Sequence, residues 1–314
     1  MAGRVFKIGT RGSDLALWQA RHVASVLAAP SETTIITTSG DRFLDASPTG
    51  RLEKGFFTKE IEDALLESRI DIAVHSLKDL PTALVDGLAV GAVSAREAVS
   101  DWLLVRAEAV DLSCRLPVKP GSRVGASSLR RQSMLRAFGD GLEPVMLRGN
   151  VPTRVQKCRR GEYDAVIVAA AGLKRLQLDL TGLAVFELVP EIWLPAPGQA
   201  ALGVEIRAAD GEARQALAPI ENAESRACVE IERSLLHRFE GGCHEAFGAW
   251  VISENGGLVV RLGHENARDT WVAVALRGMA GEAIVGEAFT VLSEAMQSNT
   301  AAAPEGPVWR FVSS

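Results

Sequence analysis

Residues 4–29, "RVFKIGTRGSDLALWQARHVASVLAA", join a short β-rich run directly to a long amphipathic stretch. Residues 4–10 predict a strand, and residues 13–29 predict a helix. Ser13 is the expected N-cap, because a serine hydroxyl accepts a hydrogen bond from the first backbone amides of a helix. A strand that leads straight into a helix is the repeating unit of α/β proteins, so this stretch sets the fold class.

The same strand-to-helix order recurs through the first two hundred residues. Further strands are predicted at 32–38, 70–76, 122–126, 144–148, 163–169 and 200–206. Further helices are predicted at 58–69, 127–138, 150–160 and 170–176. The run 70–76 is apolar enough to lie inside a mainly parallel sheet, so an α/β architecture is expected for this part of the chain.

After residue 206 the pattern changes. Residues 224–240 predict a long amphipathic helix, and three alternating runs follow it, at 246–253, 257–263 and 271–278. An "ENGG" turn separates the first two runs, as is typical of a β-hairpin. The sequence therefore predicts a small α+β domain built on a three-stranded antiparallel sheet.

The composition is that of an ordinary globular protein, since 47% of the 314 residues are hydrophobic and 23% are charged. This length predicts two or three domains. The formal net charge of −5 argues against a nucleic-acid partner, and the lack of a leader or a long apolar span predicts a cytoplasmic location and no membrane contact. Four widely spaced cysteines fit neither a disulfide framework nor a zinc pattern, so we expect free thiols and no metal: Cys114, Cys158, Cys228 and Cys243.

Arginines recur at the predicted strand-to-helix turns. They are Arg11, Arg130, Arg131, Arg148, Arg154 and Arg175. Such turns meet at the carboxyl ends of the strands, where guanidinium groups and helix N-termini together bind carboxylates. A single arginine of this kind is more often solvated surface, but the repetition favours a cleft for a small molecule with many carboxylates. The glycines match neither a dinucleotide fingerprint nor a P-loop.

The segment "IAVHSLKDLPT" (72–82) ends a buried strand with polar residues. Asp79 at the carboxyl end of that strand, beside Lys78, can stabilise positive charge on a substrate nitrogen; an ordinary turn aspartate before Pro81 is the alternative. His75 is interpreted as a core histidine. Lys54 lies in a predicted loop, where a solvated surface lysine is the alternative.

Cys243 follows two glycines in "HRFEGGCHEAFG" (237–248). The glycines allow a tight turn that leaves the sulfur accessible, which favours a chemical role over a structural one. The neighbouring His244 and Glu245 do not have metal-ligand spacing, and adjacent side chains point apart, which argues against a Cys–His dyad. The thiol alone does not say which chemistry it performs.

Taken together, these residues resemble the porphobilinogen deaminase (hydroxymethylbilane synthase) family over roughly residues 5–245. The matching motifs, in the family's order, are "IGTRGSDLALWQA", "KGFFTKEIEDALLESRIDIAVHSLKDLPT", "GASSLRRQ", "LRGNVPTR", "YDAVIVAAAGLKRL", "LPAPGQAALGVEIR" and "FEGGC". The resemblance implies a transferase that condenses four porphobilinogen molecules head to tail, with loss of ammonia, to the linear tetrapyrrole hydroxymethylbilane. It also implies a monomer with one covalent dipyrromethane cofactor per chain.

The resemblance assigns roles to the residues that match the family's motifs. Asp79 would be the catalytic carboxylate, and Cys243 would hold the cofactor through a thioether. Further cofactor-binding residues would be Lys78, Asp41, Ser127, Ser128, Arg130, Arg131, Arg148, Gly149, Arg154 and Lys54. Substrate-binding residues would be Arg11, Ser13, Gln19, Ser76, Arg148, Arg154 and Arg175.

The family likeness also implies a division into three domains. Domain 1 would comprise residues 1–98 and 199–217 and carry the catalytic aspartate, and domain 2 would comprise residues 99–198 and carry most of the arginines. Both would be α/β domains similar to those of periplasmic binding proteins. Domain 3, residues 218–314, would be the α+β domain that carries the cysteine loop.

Two other functions stay open from the residues alone. A non-catalytic two-lobed anion-binding protein would need neither the accessible cysteine nor Asp79, and commonly carries an export signal. A cysteine-dependent hydrolase would be inactivated by thiol alkylation, whereas a thiol already capped by a cofactor would resist it. Intact mass distinguishes all three possibilities.

Overall fold

The computed structural model describes residues 4–42, 58–239, 246–279, 281–298 and 308–312, with the backbone alone at 41 and 42. The chain divides into two compact units. The first unit comprises Met1–Glu97 and Gly198–Glu230, and the second comprises Ala98–Pro197 and Ile231–Ser314. Each unit is a mixed α/β body, and the second also contains a three-stranded antiparallel sheet, so the predicted fold class is confirmed.

The elements of the described residues are as follows. The strands are β1 (Phe6–Thr10), β2 (Ser31–Ile35), β3 (Ile72–Ser76), β4 (Leu88–Val93), β5 (Asp101–Arg106), β6 (Arg123–Ala126), β7 (Glu143–Met146), β8 (Ala165–Ala169), β9 (Leu183–Leu188), β10 (Leu202–Arg207), β11 (Phe247–Glu254), β12 (Gly257–Glu265), β13 (Trp271–Gly278) and β14 (Trp309–Phe311). The helices are α1 (Asp14–Val26), α2 (Ser39–Arg42), α3 (Lys59–Leu66), α4 (Leu129–Phe138), α5 (Val151–Arg159), α6 (Ala170–Leu176), α7 (Gly211–Ala216), α8 (Ala223–Arg238) and α9 (Glu282–Ser298).

The sheet of the first unit has the strand order β2-β1-β3-β10-β4. β1 runs parallel to β2 and β3, while β10 runs antiparallel to β3 and β4. The sheet is therefore mixed, with three adjacent parallel strands. Leu202, the first residue of β10, pairs with Ser76, the last residue of β3, so the start of β10 lies at the edge where β1 and β3 end.

The larger sheet of the second unit has the order β14-β9-β5-β8-β6-β7. β6 runs parallel to β7 and β8, whereas β5 runs antiparallel to β8 and pairs Asp101 with Ala169. Asp101, at the start of β5, thus lies at the edge where the three parallel strands end. The antiparallel insertion of β5 therefore brings an acidic side chain to this edge.

The C-terminal sheet, β11-β12-β13, is antiparallel throughout. The turn from β11 to β12 has positive φ at Asn255 (53°) and Gly256 (78°), which is the backbone of the tight hairpin that the "ENGG" motif predicts. Helix α9 contacts β12 and β13 and buries Ile284, Val285, Ala288 and Leu292. This helix was not predicted from the sequence.

The cores follow the apolar periodicity of the sequence. On α3, Ile61, Ala64 and Leu65 are completely buried. On α1, the buried residues Ala20 and Val23 pack against β1 and β3 of the first sheet. In the second unit Phe138 of α4 lies 6.0 Å from Trp193, ring centre to ring centre. Burial of each large apolar side chain contributes about 1.5–3 kcal/mol, so these faces fix the helices on the sheets.

A network of exposed and half-buried ions ties the ends of three strands together in the first unit. Asp210 Oδ2 lies 2.9 Å from Arg4 Nη2 and 2.9 Å from Arg207 Nη2, and both arginines also contact Asp71. Asp210 Oδ1 accepts a hydrogen bond from the Ala213 amide at the start of α7. The hydrogen bond from Arg4 and the other donors lower the pKa of Asp210 to about 2.

We predict that Asp210→Asn destabilises the first unit by about 1–2 kcal/mol at pH 7. The folded-state pKa lies below the unfolded value of about 3.9, so the carboxylate stabilises the fold above that value and loses this contribution as the pH falls towards about 2. Urea unfolding of the variant and the wild type at several pH values measures this contribution to the free energy of unfolding. The difference between variant and wild type should shrink between about pH 4 and pH 2, whereas a pH-independent difference would contradict the ionic explanation. Exposed Asp86→Asn is the control.

Candidate active site

The candidate site residues of the first unit follow the parallel strands. Arg11 comes directly after β1 and Ser76 ends β3, so both lie at the same edge of the sheet. Ser13 caps α1, where its hydroxyl accepts a hydrogen bond from the Ala16 amide at 3.4 Å, as predicted. Gln19, on α1, is buried and donates from Nε2 to Ser76 Oγ at 2.8 Å. The fold therefore brings these predicted residues to one end of the first sheet.

Asp79 and Lys78 lie on a single 3₁₀ turn, Leu77–Asp79, directly after β3. Leu77 is buried and anchors the turn, and its amide donates to the Ala201 carbonyl at 3.0 Å. Asp79 is exposed, whereas Lys78 is half-buried and donates from Nζ to Gln199 Oε1 at 3.2 Å. A buried anchor thus presents a carboxylate to solvent at the carboxyl end of a core strand.

In the second unit, β6 and β7 each lead into a helix with a side-chain cap. Ser128 accepts from the Arg131 amide at 3.3 Å at the start of α4, and Asn150 accepts from the Thr153 amide at 2.9 Å at the start of α5. Pro152 lies in the first turn of α5, where its missing amide hydrogen costs nothing. Both helices therefore begin at a residue whose side chain caps the first turn.

Arg154 connects these two turns. Its Nη1 donates to Ser127 Oγ at 2.9 Å, and its Nε donates to the Gly149 carbonyl at 2.7 Å. Gly149 has φ +110°, a conformation that favours glycine, and a Cβ there would lie 2.8 Å from Thr153 Cγ2. Ser127, Gly149 and Arg154 therefore form one connected polar group at the carboxyl ends of β6 and β7.

Arg130 and Arg131 are both buried and share one carboxylate, that of Asp101. Arg131 makes a bidentate contact, from Nε at 3.0 Å and Nη2 at 2.7 Å, and Arg130 Nη2 lies 2.8 Å away. Trp193 Nε1 also donates to Asp101, at 3.2 Å. Burial lowers the pKa of the Arg130 guanidinium, although Asp101 opposes this effect.

Two buried guanidinium groups on one carboxylate leave the cluster of Asp101, Arg130 and Arg131 with one uncompensated positive charge. Their remaining donors include Arg130 Nη1 to the Leu194 carbonyl at 2.5 Å and Arg131 Nη1 to the Ile167 carbonyl at 3.2 Å. Neutral carbonyls do not cancel the charge, and a charge in a dry site is felt more strongly than one in water. The cluster is therefore attractive to a further carboxylate.

Two other predicted arginines lie in the second unit. Arg148 is half-buried between β7 and α5, and its carbonyl accepts a hydrogen bond from Lys157 Nζ at 3.3 Å. Arg175 is half-buried in the last turn of α6, rather than at the start of that helix. Its position is thus further from the strand end than the motif alone suggests.

Three predicted cofactor residues are not described in full. Cys243 and Lys54 lie outside the described residues, and at Asp41 only the backbone, in α2, is described. Their assigned roles remain predictions.

Sequence reasoning missed Asp101, Gln199 and Glu205. Asp101 and Gln199 are completely buried, and each touches a predicted site residue. Glu205 Oε2 lies 3.4 Å from Nε2 of His75, which is buried in β3 as predicted. These residues could have been found from the sequence, because each lies in or beside an apolar run, as in "SDWLLV" and "PGQAALGV". A charged or amide side chain that is buried with such a run needs a polar partner.

Among the described residues, no group of three or more His, Cys, Asp or Glu side chains is placed to hold a metal ion. Within the same part of the chain, no helix is both long enough and apolar enough to cross a membrane.

Known proteins similar to this chain agree in family. The family model "Porphobilinogen deaminase, dipyromethane cofactor binding domain" matches residues 6–215. Curated relatives named porphobilinogen deaminase include that of Syntrophobacter fumaroxidans, 43% identical over 83% of this chain and 84% of its own. That of Moorella thermoacetica is 45% identical over 81% of each chain, and that of Chromobacterium violaceum is 45% identical over 81% and 82%.

Among solved structures, a Salmonella typhimurium periplasmic binding protein covers 69% of this chain and 92% of its own, with 13% identity and a TM-score of 0.39. The periplasmic VFT2 domain of Bordetella pertussis BvgS covers 69% and 86%, with 12% identity and a TM-score of 0.41. TM-scores below 0.5 add nothing to the assignment, which depends on the sequence matches. On those matches, this chain belongs to the porphobilinogen deaminase family.

Proposed function

We propose that Asp79 is the catalytic carboxylate of the reaction that this enzyme performs. The reaction is the family's own: porphobilinogen molecules condense with loss of ammonia to hydroxymethylbilane, in porphyrin biosynthesis, on a dipyrromethane cofactor. Loss of ammonia from an aminomethylpyrrole leaves positive charge on the substrate. Asp79 is exposed on a turn whose first residue, Leu77, is buried. Because the turn is held in place, the carboxylate is already positioned to stabilise that positive charge.

This electrostatic attraction can account for part of the catalytic rate enhancement. Opposite unit charges about 4 Å apart attract by roughly 4 kcal/mol at the effective dielectric constant near a protein surface. Each ~1.4 kcal/mol of stabilisation specific to the transition state gives tenfold in rate. One fixed carboxylate can therefore supply on the order of a thousandfold.

We propose that the second unit binds the acetate and propionate side chains. Each porphobilinogen carries two carboxylates, so a growing chain needs many cationic and hydrogen-bonding donors. The observation that carries this proposal is the connected group of Ser127, Gly149 and Arg154, which draws two strand-to-helix turns together. The charge left over on the Asp101 cluster adds attraction for an anion.

The donor set fits a polyacidic cofactor, because guanidinium groups, serine hydroxyls and helix-cap amides all donate to carboxylates. When bound, dipyrromethane supplies the pyrrole to which the first porphobilinogen is joined. The residues that would hold it are Lys78, Asp41, Ser127, Ser128, Arg130, Arg131, Arg148, Gly149, Arg154 and Lys54. The residues that would bind substrate are Arg11, Ser13, Gln19, Ser76, Arg148, Arg154 and Arg175.

We propose that Cys243 carries the cofactor. The other thiols are poor candidates for a thioether anchor. Burial raises the pKa of Cys158 to about 12, and its Sγ donates to the Leu104 carbonyl at 3.6 Å. Cys228 is also buried, and the pKa of Cys114 is raised, by burial first and then by Asp111. A thiol with a raised pKa is a poor nucleophile at neutral pH.

Intact mass spectrometry of the purified protein tests the assignment. We predict an added mass of about two pyrrole units, lost in Cys243→Ser and kept in the matched control Cys114→Ser. Peptide mapping after alkylation should find Cys243 protected by its thioether. Active protein that carries no adduct, or an adduct that survives Cys243→Ser, would contradict the proposal.

We further propose a cytoplasmic monomer that uses neither metal nor nucleic acid, with the net charge of −5 as support against a nucleic-acid partner. The division into domains 1–98 with 199–217, 99–198 and 218–314 remains part of the same proposal. Sedimentation of the active enzyme measures the oligomeric state.

A further inference from the structure

The segment that precedes β10 packs tightly against the turn that carries Lys78 and Asp79. Gly198 has φ +72°, and a Cβ there would lie 3.1 Å from Leu77 Cγ. Ala200 has φ +75°, a strained conformation for a residue with a side chain. Strain of this kind persists only where the surroundings hold it, so the segment is held firmly in place.

Backbone hydrogen bonds fix both sides of this segment. The Leu77 amide donates to the Ala201 carbonyl at 3.0 Å, and the Glu97 amide donates to the Ala200 carbonyl at 3.2 Å. Gln199 directly precedes these two alanines, and its own carbonyl accepts a hydrogen bond from Arg96 Nε at 3.1 Å. The backbone of Gln199 is thus held at the edge where β3 ends.

The side chain of Gln199 is completely buried, and its Oε1 accepts from Lys78 Nζ at 3.2 Å. A lysine on a four-carbon stem samples many rotamers unless a partner selects one. Gln199 is a neutral partner: it orients the ammonium but leaves its charge intact. A carboxylate in its place would cancel the charge that a substrate or cofactor carboxylate needs.

We propose that Gln199 is a positioning residue for the reaction, orienting the Lys78 ammonium on the turn that also carries Asp79 without itself neutralising that charge. This inference rests on the proposed role of Lys78. Gln199 acts through Lys78 and through the turn that Ala201, two residues further on, holds by its hydrogen bond with Leu77. If Gln199 only filled space in the core, the effect of replacing it would be the same whether or not Lys78 is present.

Four variants of the full chain test the proposal: Gln199→Met, Gln199→Glu, Lys78→Met and the double variant Lys78→Met with Gln199→Met. The readouts are the fraction of chains that carry the adduct, by intact mass, together with kcat and KM for porphobilinogen. Gln199→Met should lower kcat/KM about tenfold and lower the adducted fraction. The double variant should lose no more than Lys78→Met alone, because both changes remove the same interaction.

Gln199→Glu keeps an acceptor but adds a negative charge. It should fold, and it should lower kcat/KM and the adducted fraction as Gln199→Met does, because the added carboxylate neutralises the ammonium. If Gln199→Met does not fold, the same cycle with Gln199→Glu replaces it. Exposed Gln215→Met, on α7 of the same unit, is the matched control and should leave all readouts unchanged.

The outcomes separate the inference from the proposed function. If Lys78→Met is impaired but neither Gln199 variant is, the positioning role is wrong while the role of Lys78 stands. If the losses in the double variant add, Gln199 acts structurally and the inference is also wrong. If Lys78→Met is fully active and fully adducted, the assigned role of Lys78 and the inference fail together.

Discussion

Replacing Asp79 by asparagine will leave the adduct on the protein and remove nearly all turnover. The exposed carboxylate is not part of a core contact, and the turn is held by buried Leu77, so folding and cofactor attachment should survive the change. Only the charge that opposes the developing cation is lost. Removal of one such stabilising group commonly costs about 10²–10³-fold in kcat, and we expect at least that much here. Product formation and intact mass, measured on the same preparation, check both parts.

Asp86→Asn is the matched control for this prediction, because Asp86 is also an exposed acid in the first unit, in the turn before β4. It should retain full turnover. Asp79→Ala should behave like Asp79→Asn. Turnover near the wild-type rate in either Asp79 variant would remove Asp79 from the catalytic role, and a missing adduct would show that Asp79 also acts in cofactor assembly.

Much of the fold could be predicted because local signals agree with tertiary packing. Ser13 caps the helix that it was expected to cap, and the "ENGG" turn forms the tight hairpin. The strands β4, β5, β9 and β14 were not predicted. Runs such as "DWLLVR" and "LAVFEL" are short and largely buried, so they lack the alternation that identifies a half-exposed strand.

The site was predicted less completely, for a physical reason. Arg130 and Arg131 were identified from their place at a strand-to-helix turn, but their partner lies 29 and 30 residues earlier in the chain. That partner, Asp101, reaches the site only because β5 is inserted antiparallel to β8. Gln199 and Lys78 are 121 residues apart and meet through β10 in the same way. Pairing between distant strands leaves no local trace in the sequence.

The Asp101 cluster is expected both to stabilise the fold and to bind the cofactor, and different variants can test these two roles separately. Asp101 neutralises one of two buried guanidinium groups and thereby makes their burial tolerable. The second guanidinium has no anion of its own within this cluster, and a bound carboxylate would supply one. Loss of the acid should therefore harm the fold, whereas loss of one arginine should harm mainly the binding of the cofactor.

We predict that Asp101→Asn destabilises the second unit by about 3–5 kcal/mol, because it leaves two buried cations without a counter-charge. Arg131→Met leaves a one-to-one pair of Arg130 and Asp101, so its loss of stability should be clearly smaller. The fraction of chains with an adduct should nevertheless fall severalfold or more in Arg131→Met. Urea unfolding and intact mass of both variants measure the two effects.

The charges of the cluster predict that Asp101→Asn loses more stability than Arg131→Met, and that Arg131→Met nevertheless carries less adduct than the wild type. If Arg131→Met were fully adducted and turned over normally, Arg131 would serve the fold alone. If Asp101→Asn were as stable as the wild type, the two guanidinium groups would have another counter-charge, and the cluster would hold no spare charge for a substrate. Arg136→Met, an exposed arginine on the same helix that pairs with Glu265 at 2.6 Å, is the control. It should change stability by less than about 1 kcal/mol and leave the adduct in place, because an exposed ion pair contributes little.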